Sequence, residues 1–350
     1  GYTILAQLTM TPICTLRAIC SRHGEECKKV LLELGYDEKK ICLCEDSASI
    51  KEAKSDDILV ITDYTKMVEA VLDCVIECTG NTAVGSRAAI QAMDAGIDVY
   101  MVSKETDSIC GPYLNNYAAK KDVVYALANG DQPRNLADLI SWANILGLEI
   151  ICAGKSSEND LIYDVHNGDL TYLEPTPSGN YPELAKYWVY KDRETIEKRN
   201  VILAQYIEPI SADLCEMNLV SDISGLKPAC DGLHYPVARI SELANIFIPK
   251  EEGGILDKTG VVDVFLNLRA TDEASFAGGE FVVVKCDNEI VSDLLRGTGH
   301  VVSSNGKYLC LYYPYHLLGV ETPASLVLGS FLKAGTNPEC RQGTLMVGKG

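Results

Sequence analysis

LDCVIECTG, residues 72–80, is followed by a helix-like run at residues 84–95 and by the apolar stretch 98–102. The first stretch is mostly apolar and ends in Thr-Gly, which is typical of a buried strand that stops at a turn. Gly96 ends the run between the two strands. A strand, a helix and a second strand in this order predict a parallel sheet, because a crossover helix returns the chain to the same edge.

The same alternation of strand-like and helix-like segments continues through the first half of the chain. Further helices are predicted over residues 2–10, 25–34, 113–120 and 136–146, and further strands over residues 15–20, 123–128 and 149–153. Strands bounded by helices of this length indicate an α/β protein with a Rossmann-like, doubly wound parallel sheet.

The composition is that of an ordinary globular protein with two or three domains. The chain has 350 residues, and its 31 basic and 49 acidic residues leave a net charge of −18. Nucleic acid and anionic membranes need clustered cations, so we expect neither as a partner. The 14 cysteines form no Cys-x-x-Cys pair, and we see no signal peptide and no apolar run long enough to span a bilayer. These features predict a cytoplasmic protein with reduced thiols.

The character of the chain changes near residue 154. Residues 159–180 are rich in Asp, Asn, Gly, Pro and Tyr, and β-rich runs appear from residue 276 onward. We therefore predict a dinucleotide-binding domain over residues 1–153, an α+β catalytic domain over residues 154–330, and a tail over residues 331–350.

Polar residues follow four of the predicted strands, at the edge of the sheet where ligands of such folds bind. In chain order they are Thr79, Gly80 and Asn81, then Lys104 and Glu105, then Asn129, Gly130 and Asp131, and finally Lys155, Ser156 and Ser157. Strand ends are polar in any sheet, but the recurrence of two lysines and two acids at one edge favours a binding site.

The end of the predicted strand 15–20 bears on the choice of cofactor. In a dinucleotide fold this strand ends beside the adenosine ribose, where an acid suits a 2′-hydroxyl and an arginine suits a 2′-phosphate. Ser21 and Arg22 stand there, which favours NADP over NAD unless Arg22 is only a solvated residue. Gly1 would be the last glycine of the expected Gly-rich turn, so we expect the first strand to precede the numbered chain, as in a piece of a longer protein.

Residues 72–80, 98–114 and 123–133 resemble the homoserine dehydrogenase type of Rossmann domain. The chain is more similar to the deoxyxylulose-phosphate reductoisomerase-like (DRL) oxidoreductases, and this second resemblance runs from Gly1 to about Gly329. The segments that carry it are GPYL at Gly111, NGDQP at Asn129, AGK at Ala153, CEM at Cys215, DGLHYP at Asp231, EGGILDKTGVVD at Glu252 and PYHLLGVETP at Pro314. In such proteins a SAF-type C-terminal domain can follow, and residues 331–350 could be its truncated start.

The resemblance implies NADPH-dependent conversion of 1-deoxy-D-xylulose 5-phosphate to methylerythritol 4-phosphate, a step of isoprenoid precursor synthesis. It also implies a small phosphorylated sugar as substrate and a homodimer formed through the second domain. Lys104 matches the homoserine dehydrogenases instead, although their Asp-Lys helix motif is missing. The alternatives are a dehydrogenase of that type, which acts on a small hydroxy or keto compound without rearrangement, and a nucleotide-sensing protein that is not an enzyme.

Hydride transfer to a carbonyl needs a donor for the developing alkoxide. Lys155 is our first candidate for this donor, with Ser156 and Ser157 beside it to hold a phosphate or a hydroxyl. Lys104 is the second catalytic cation, near the nicotinamide ribose or the substrate, unless it is a surface lysine. Glu105 either orients Lys104 or a substrate hydroxyl, or lies on a solvated face.

Asp131 is a further catalytic candidate, although Asp in such a turn often binds its own backbone. Lys258 and Asp263 lie in a Gly-rich segment that could close over a substrate phosphate, and the alternative is a tight structural loop. His234 is a candidate for substrate binding, but a lone histidine is more often structural.

A rearrangement of the enediol type would benefit from Mg²⁺ or Mn²⁺ on oxygen ligands. Glu216 and Asp231 could contribute to such a site, but no ligand spacing is visible in the sequence. The identity of the metal ligands therefore stays open at this point.

Overall fold

The computed structural model describes residues 1–173, 176–298 and 301–332. This part of the chain forms two compact units. Gly1–Asp131 and the segment that begins at Leu317 make the first unit, and Gln132–His316 make the second. The functional domain limits at residues 153 and 330 stay predictions, and most of the predicted tail lies outside the described residues.

The first unit is built from short strands and helices in alternation. In chain order its elements are α1 (Tyr2–Leu8), β1 (Ala18–Cys20), α2 (Gly24–Glu33), β2 (Ile41–Cys44), α3 (Ser47–Glu52), β3 (Ile58–Ile61), β4 (Cys74–Glu77), α4 (Thr82–Asp94), β5 (Asp98–Met101), α5 (Lys104–Lys121) and β6 (Tyr125–Leu127). The described strands form two parallel sheets, of order β1-β3-β2 and β4-β5-β6. The α/β class with parallel strands is thus confirmed, with the predicted single sheet divided in two.

Local sequence explains most of these elements. Strands β3 and β5 are buried at every position, as expected for apolar runs covered on both faces. Asp46 begins α3 by accepting a hydrogen bond from the Ser49 amide in a capping box. Asn81 begins α4 in the same way by accepting from the Val84 amide.

Helix α5 is longer than the predicted helix over residues 113–120. Gly111 and Pro112 are typical helix breakers, but both lie inside α5. A Cβ atom at Gly111 would lie 2.5 Å from Asp107 Oδ1, so the glycine leaves room for this buried carboxylate. The longer helix places Lys104 and Glu105 in its first turn rather than in a loop.

The second unit is organised around one mixed sheet. Its elements are α6 (Gln132–Ile145), β7 (Glu149–Ser156), β8 (Leu161–Tyr163), β9 (Asp169–Thr171), β10 (Gly179–Asn180), α7 (Arg193–Ile202), α8 (Ser211–Ser224), β11 (Lys227–Pro228), β12 (Val237–Ala238), α9 (Leu243–Ile246), β13 (Val261–Ala270), β14 (Glu280–Lys285), α10 (Glu289–Gly297), β15 (Val301–Val302) and β16 (Tyr308–Tyr313). Within the described residues the sheet order is β10-β9-β8-β13-β7-β14-β16-β15, and β11 and β12 also pair with β13. Strand β7 is parallel to β13 and antiparallel to β14.

Alternating side chains of the central strands supply the two cores of this unit. Ala153 and Val264 pack with Met217 of α8 on one face, whereas Cys152 and Phe265 belong to the core on the other face. Side chains along a strand alternate between faces, so Lys155 shares the α8 face with Ala153. Strand β7 is also longer than the predicted strand over residues 149–153, and Lys155 therefore lies within the strand and not after it.

Helix α11 (Thr322–Leu332) belongs to the first unit and packs against β5 and β6. Among the described residues, no helix combines the length and the apolar character that a bilayer span requires.

Candidate active site

Lys155 is fully buried, and its ammonium group faces three carboxylates. Its Nζ lies 2.9 Å from Glu158 Oε1 and 2.9 Å from Asp213 Oδ1, and it donates a short hydrogen bond to Glu216 Oε2. Asp213 and Glu216 have no exposed side-chain surface, whereas about a third of the Glu158 side chain (32%) is exposed. We call these four residues the lysine–carboxylate cluster.

Two elements bring the cluster together. Lys155 lies near the end of β7, and Glu158 follows in the turn after this strand. Asp213 and Glu216 are three residues apart on α8, and this spacing puts both on the helix face that packs against β13. Gln132, at the start of α6, donates a hydrogen bond of 3.1 Å to Glu158 Oε1 and helps to hold that carboxylate.

Two hydroxyl groups complete the surroundings of Asp213. Ser157 Oγ donates to Asp213 Oδ2 over 2.9 Å, and Tyr235 Oη donates to the same oxygen over 3.3 Å. Burial, and then the nearby Asp213 carboxylate, raise the pKa of Tyr235 well above its usual range. The tyrosine therefore stays protonated and acts as a hydrogen-bond donor.

The charge state of Lys155 follows from its partners. Burial alone would lower the pKa of Lys155, but the carboxylates of Glu216, Asp213 and Glu158 outweigh this effect and raise the pKa above its usual value. Lys155 is thus an ammonium group at neutral pH. Such a group can stabilise a developing negative charge in a water-poor site, but it is poorly suited to act as a general base.

His234 and Asp263 form a second polar pair in this unit. The Nδ1 atom of His234 lies 2.5 Å from Asp263 Oδ2, and the amides of His234 and Val264 donate to Asp263 Oδ1 over 2.8 and 3.0 Å. Burial lowers the pKa of His234, but hydrogen bonds with Asp263 and the Cys230 thiol raise it to about 10. His234 is therefore an imidazolium at neutral pH, with its orientation fixed by Asp263.

The loop between β11 and β12 carries both His234 and Tyr235 in a strained backbone. Leu233 and Tyr235 have φ values of +65° and +47°, which cost about 1–2 kcal/mol each for residues with a side chain. The hydrogen bonds of these two polar side chains hold the loop on Asp263 and Asp213. Strained backbone conformations cluster at functional sites, and here the strained loop positions two consecutive polar side chains. This indicates that the loop is a functional segment.

In the first unit, the turns that follow β4 and β5 lie next to each other. The Gly80 amide donates to Ser103 Oγ over 2.8 Å, and Ser103 directly precedes Lys104. The Thr79 amide donates to Glu77 Oε1 over 2.8 Å. Gly80 has a φ of +65°, a conformation that favours glycine at this turn. Thr79, Gly80 and Asn81 thus form a turn that hydrogen bonds to Glu77 and Ser103 hold in place.

The turn after β6 is held by Leu317 and by Ser325 of α11. The Asn129 amide donates to Ser325 Oγ over 2.6 Å, and Ser325 Oγ donates to Asn129 Oδ1 over 3.0 Å. A Cβ atom at Gly130 would lie 2.7 Å from the Leu317 carbonyl oxygen. Asp131 is buried. These contacts support the turn itself, and a role of Asn129, Gly130 or Asp131 toward a ligand stays a prediction.

The other predicted site residues lie apart from these hydrogen-bond networks or on the surface. The Ser156 amide donates to the Gly279 carbonyl over 2.8 Å, and the His23 amide donates to Ser21 Oγ over 3.2 Å. Five further candidates are exposed: Gly1, Arg22, Glu105, Asp231 and Lys258.

Sequence reasoning found Lys155, Ser157 and Glu216, but it missed Glu158, Asp213 and Tyr235. The polar pair Asp213 and Glu216 could have been found from its i, i+3 spacing on a helix. Tyr235 carried no such signal, because its role depends on the backbone conformation of the loop.

Buried clusters of charged side chains are common at active sites, and the strands and helices of the chain give it the α/β class. The family model described as "Oxidoreductase DRL, catalytic domain" matches residues 130–322, which is more than half of the chain. The chain belongs to this family and is an oxidoreductase, as predicted. The matched segment contains the lysine–carboxylate cluster as well as His234 and Asp263.

Comparison with curated proteins gives no significant match. Among similar solved structures, a probable dehydrogenase from Thermotoga maritima has 12% identity and a TM-score of 0.43, with 95% of this chain and 86% of that chain covered. The structure of scyllo-inositol dehydrogenase from Lactobacillus casei, with bound NAD(H) and scyllo-inositol, has 11% identity and a TM-score of 0.41, with 95% of this chain and 86% of that chain covered. A DOX-P reductoisomerase in complex with NADPH, fosmidomycin and magnesium has 12% identity and a TM-score of 0.35, with 64% of this chain and 55% of that chain covered. The assignment of the chain to the DRL family therefore rests on the family model alone.

Proposed function

We propose that the chain converts 1-deoxy-D-xylulose 5-phosphate to methylerythritol 4-phosphate. The carbon skeleton of the substrate rearranges to an aldehyde, and NADPH reduces this aldehyde at the lysine–carboxylate cluster. The observation that carries this proposal is the fully buried Lys155 ammonium inside the segment that matches an oxidoreductase catalytic domain. The substrate and the cofactor follow from the DRL resemblance of the sequence.

Reduction of a carbonyl places negative charge on its oxygen as the hydride arrives. A preformed ammonium in a dry site stabilises this charge without reorganisation of solvent. Of the three carboxylates around Lys155, only Glu158 is partly exposed. We therefore place the substrate oxygen on the Glu158 side, where it would take over one of the hydrogen bonds from Lys155 Nζ.

The first unit supports a dinucleotide with a 2′-phosphate. Arg22 is exposed two residues after the end of β1, and the Gly80 turn follows β4 at the edge where such cofactors bind. The bound cofactor would supply the hydride. In this arrangement Arg22 would bind the 2′-phosphate, and Lys104 would lie near the nicotinamide ribose.

Turnover of NADPH with 1-deoxy-D-xylulose 5-phosphate tests the proposal through the nicotinamide absorbance. The variant Lys155→Met should lose about 10²–10³-fold in kcat, because it removes the donor to the developing oxyanion. NADPH affinity, followed by fluorescence, should stay unchanged. Lys186→Met is the matched control, since Lys186 is exposed in the short 3₁₀ helix Pro182–Tyr187, and it should keep full activity.

Wild-type turnover in the Lys155→Met variant would contradict the proposal. A second candidate is a dehydrogenase that reduces or oxidises a small hydroxy or keto compound without rearrangement. The observation that favours it is the position of the Lys155 ammonium among the three carboxylates. A metal-assisted rearrangement would need a metal ion at these carboxylates, where the ammonium already lies. Cofactor oxidation with a panel of such compounds, but not with 1-deoxy-D-xylulose 5-phosphate, would select this candidate.

A further inference from the structure

Glu158, Asp213 and Glu216 have the composition of a divalent-cation site. One oxygen from each carboxylate lies within 4.8 Å of the other two, and hard ions such as Mg²⁺ and Mn²⁺ prefer oxygen ligands. The same three carboxylates, however, surround Lys155 Nζ. The position that a metal would need is thus taken by a cation of the chain itself.

The spacing of the oxygens favours the ammonium group. Two of them lie 2.9 Å from Nζ, which is a hydrogen-bond distance, whereas Mg²⁺ needs oxygens at about 2.0–2.1 Å. The carboxylates would have to move inward by roughly 0.8 Å to bind the metal. Mg²⁺ and the ammonium would then share the same three oxygens at close range, so the two cations compete.

Burial prevents a simple exchange of the two cations. Lys155 has no exposed side-chain surface, and its backbone is fixed in β7 between β13 and β14. An incoming metal ion would leave a buried ammonium without its partners, which is strongly unfavourable. We propose that the Lys155 ammonium is the resident cation of the Glu158–Asp213–Glu216 triad and that it excludes divalent ions from this triad.

The proposal predicts that removal of the lysine opens a metal site. Mn²⁺ is the probe, and its binding to the purified chain is followed by the loss of the free-ion EPR signal. Lys155→Met should gain one equivalent of bound Mn²⁺, at least tenfold tighter than any binding by the wild type. The double variant Lys155→Met/Glu216→Gln should lose this site, and Lys186→Met should match the wild type.

If the wild type binds one Mn²⁺ as tightly as Lys155→Met, and Glu216→Gln abolishes that binding, the lysine does not exclude the ion and the proposal is overturned. No substrate or NADPH is present in this experiment, so its outcome can be read whether or not the proposed turnover is observed.

A second measurement covers the case in which Lys155→Met does not fold. The melting temperature of the wild type is compared in MnCl₂, in MgCl₂ and in KCl of equal ionic strength. We expect equal values, since an ion that is excluded from the folded state cannot stabilise it. A rise of several degrees with either divalent ion, absent in Glu216→Gln, would overturn the proposal.

Discussion

His234 couples the protonation of one side chain to the stability of the second unit. The pKa of this imidazole is about 10, above its usual 6.5, because Asp263 and Cys230 hydrogen-bond to the ring and outweigh the effect of burial. A group whose pKa is raised by folding contributes its full stabilisation at pH values below the pKa that it has in the unfolded chain. This stabilisation is lost as the pH rises through the folded pKa. The relevant window therefore runs from about pH 6.5 to about pH 10.

We predict that the free energy of unfolding falls over this window, by roughly 2 kcal/mol after allowance for solvent screening of a partly exposed ring. Urea unfolding at about pH 6 and about pH 10.5 measures the change. Other groups also titrate in this range, so the comparison is with His234→Gln, which keeps a polar side chain but cannot titrate. An equal fall in both proteins would contradict the role assigned to the His234–Asp263 pair.

The contact between β7 and β13 depends on one glycine. A Cβ atom at Gly154 would collide with the Asp263 carbonyl oxygen and would lie 2.9 Å from the Phe281 ring. Backbone of a neighbouring strand cannot yield as a flexible side chain can. Gly154 therefore permits the close strand pairing that places Lys155 and Asp263 on consecutive registers of the sheet.

We predict that Gly154→Ala destabilises the chain by about 3 kcal/mol, the upper part of the range for overpacked cores. Gly297→Ala is the matched control, because a Cβ atom at Gly297 would have no other atom within 4 Å and this glycine ends helix α10. The control should be neutral or stabilise by up to about 1 kcal/mol. Chemical denaturation measures both changes, and a neutral Gly154→Ala would show that the two strands can separate without cost.

Local patterns predict single elements better than the contacts between them. Strands β5 and β7 were recognisable as apolar runs, but β2 and β3 were missed because runs of charged residues flank both of them. Lys155 was found because it follows an apolar run and a glycine. Its partners on α8 were largely missed, since packing of a distant helix decides which carboxylates meet the ammonium.

The net charge of the chain governs how two copies of it interact at long range. A copy of the chain carries a net charge of −18, so association of two copies brings strong like charges together. The Debye length falls from about 30 Å at 0.01 M salt to about 8 Å at 0.15 M. Salt therefore weakens the repulsion between two copies much more than it weakens apolar contacts.

We propose that the chain forms a homodimer through its second unit, and we predict that this dimer becomes tighter as salt rises. Sedimentation velocity at low-micromolar protein should show the dimer fraction increase between about 0.01 and 0.15 M KCl. Sucrose of equal osmolality is the control for crowding and hydration, and it should not reproduce the change. A monomer at every salt concentration would contradict the homodimer. A dimer that dissociates as salt rises would instead mean that ion pairs between the copies hold it together, despite the repulsion of their net charges.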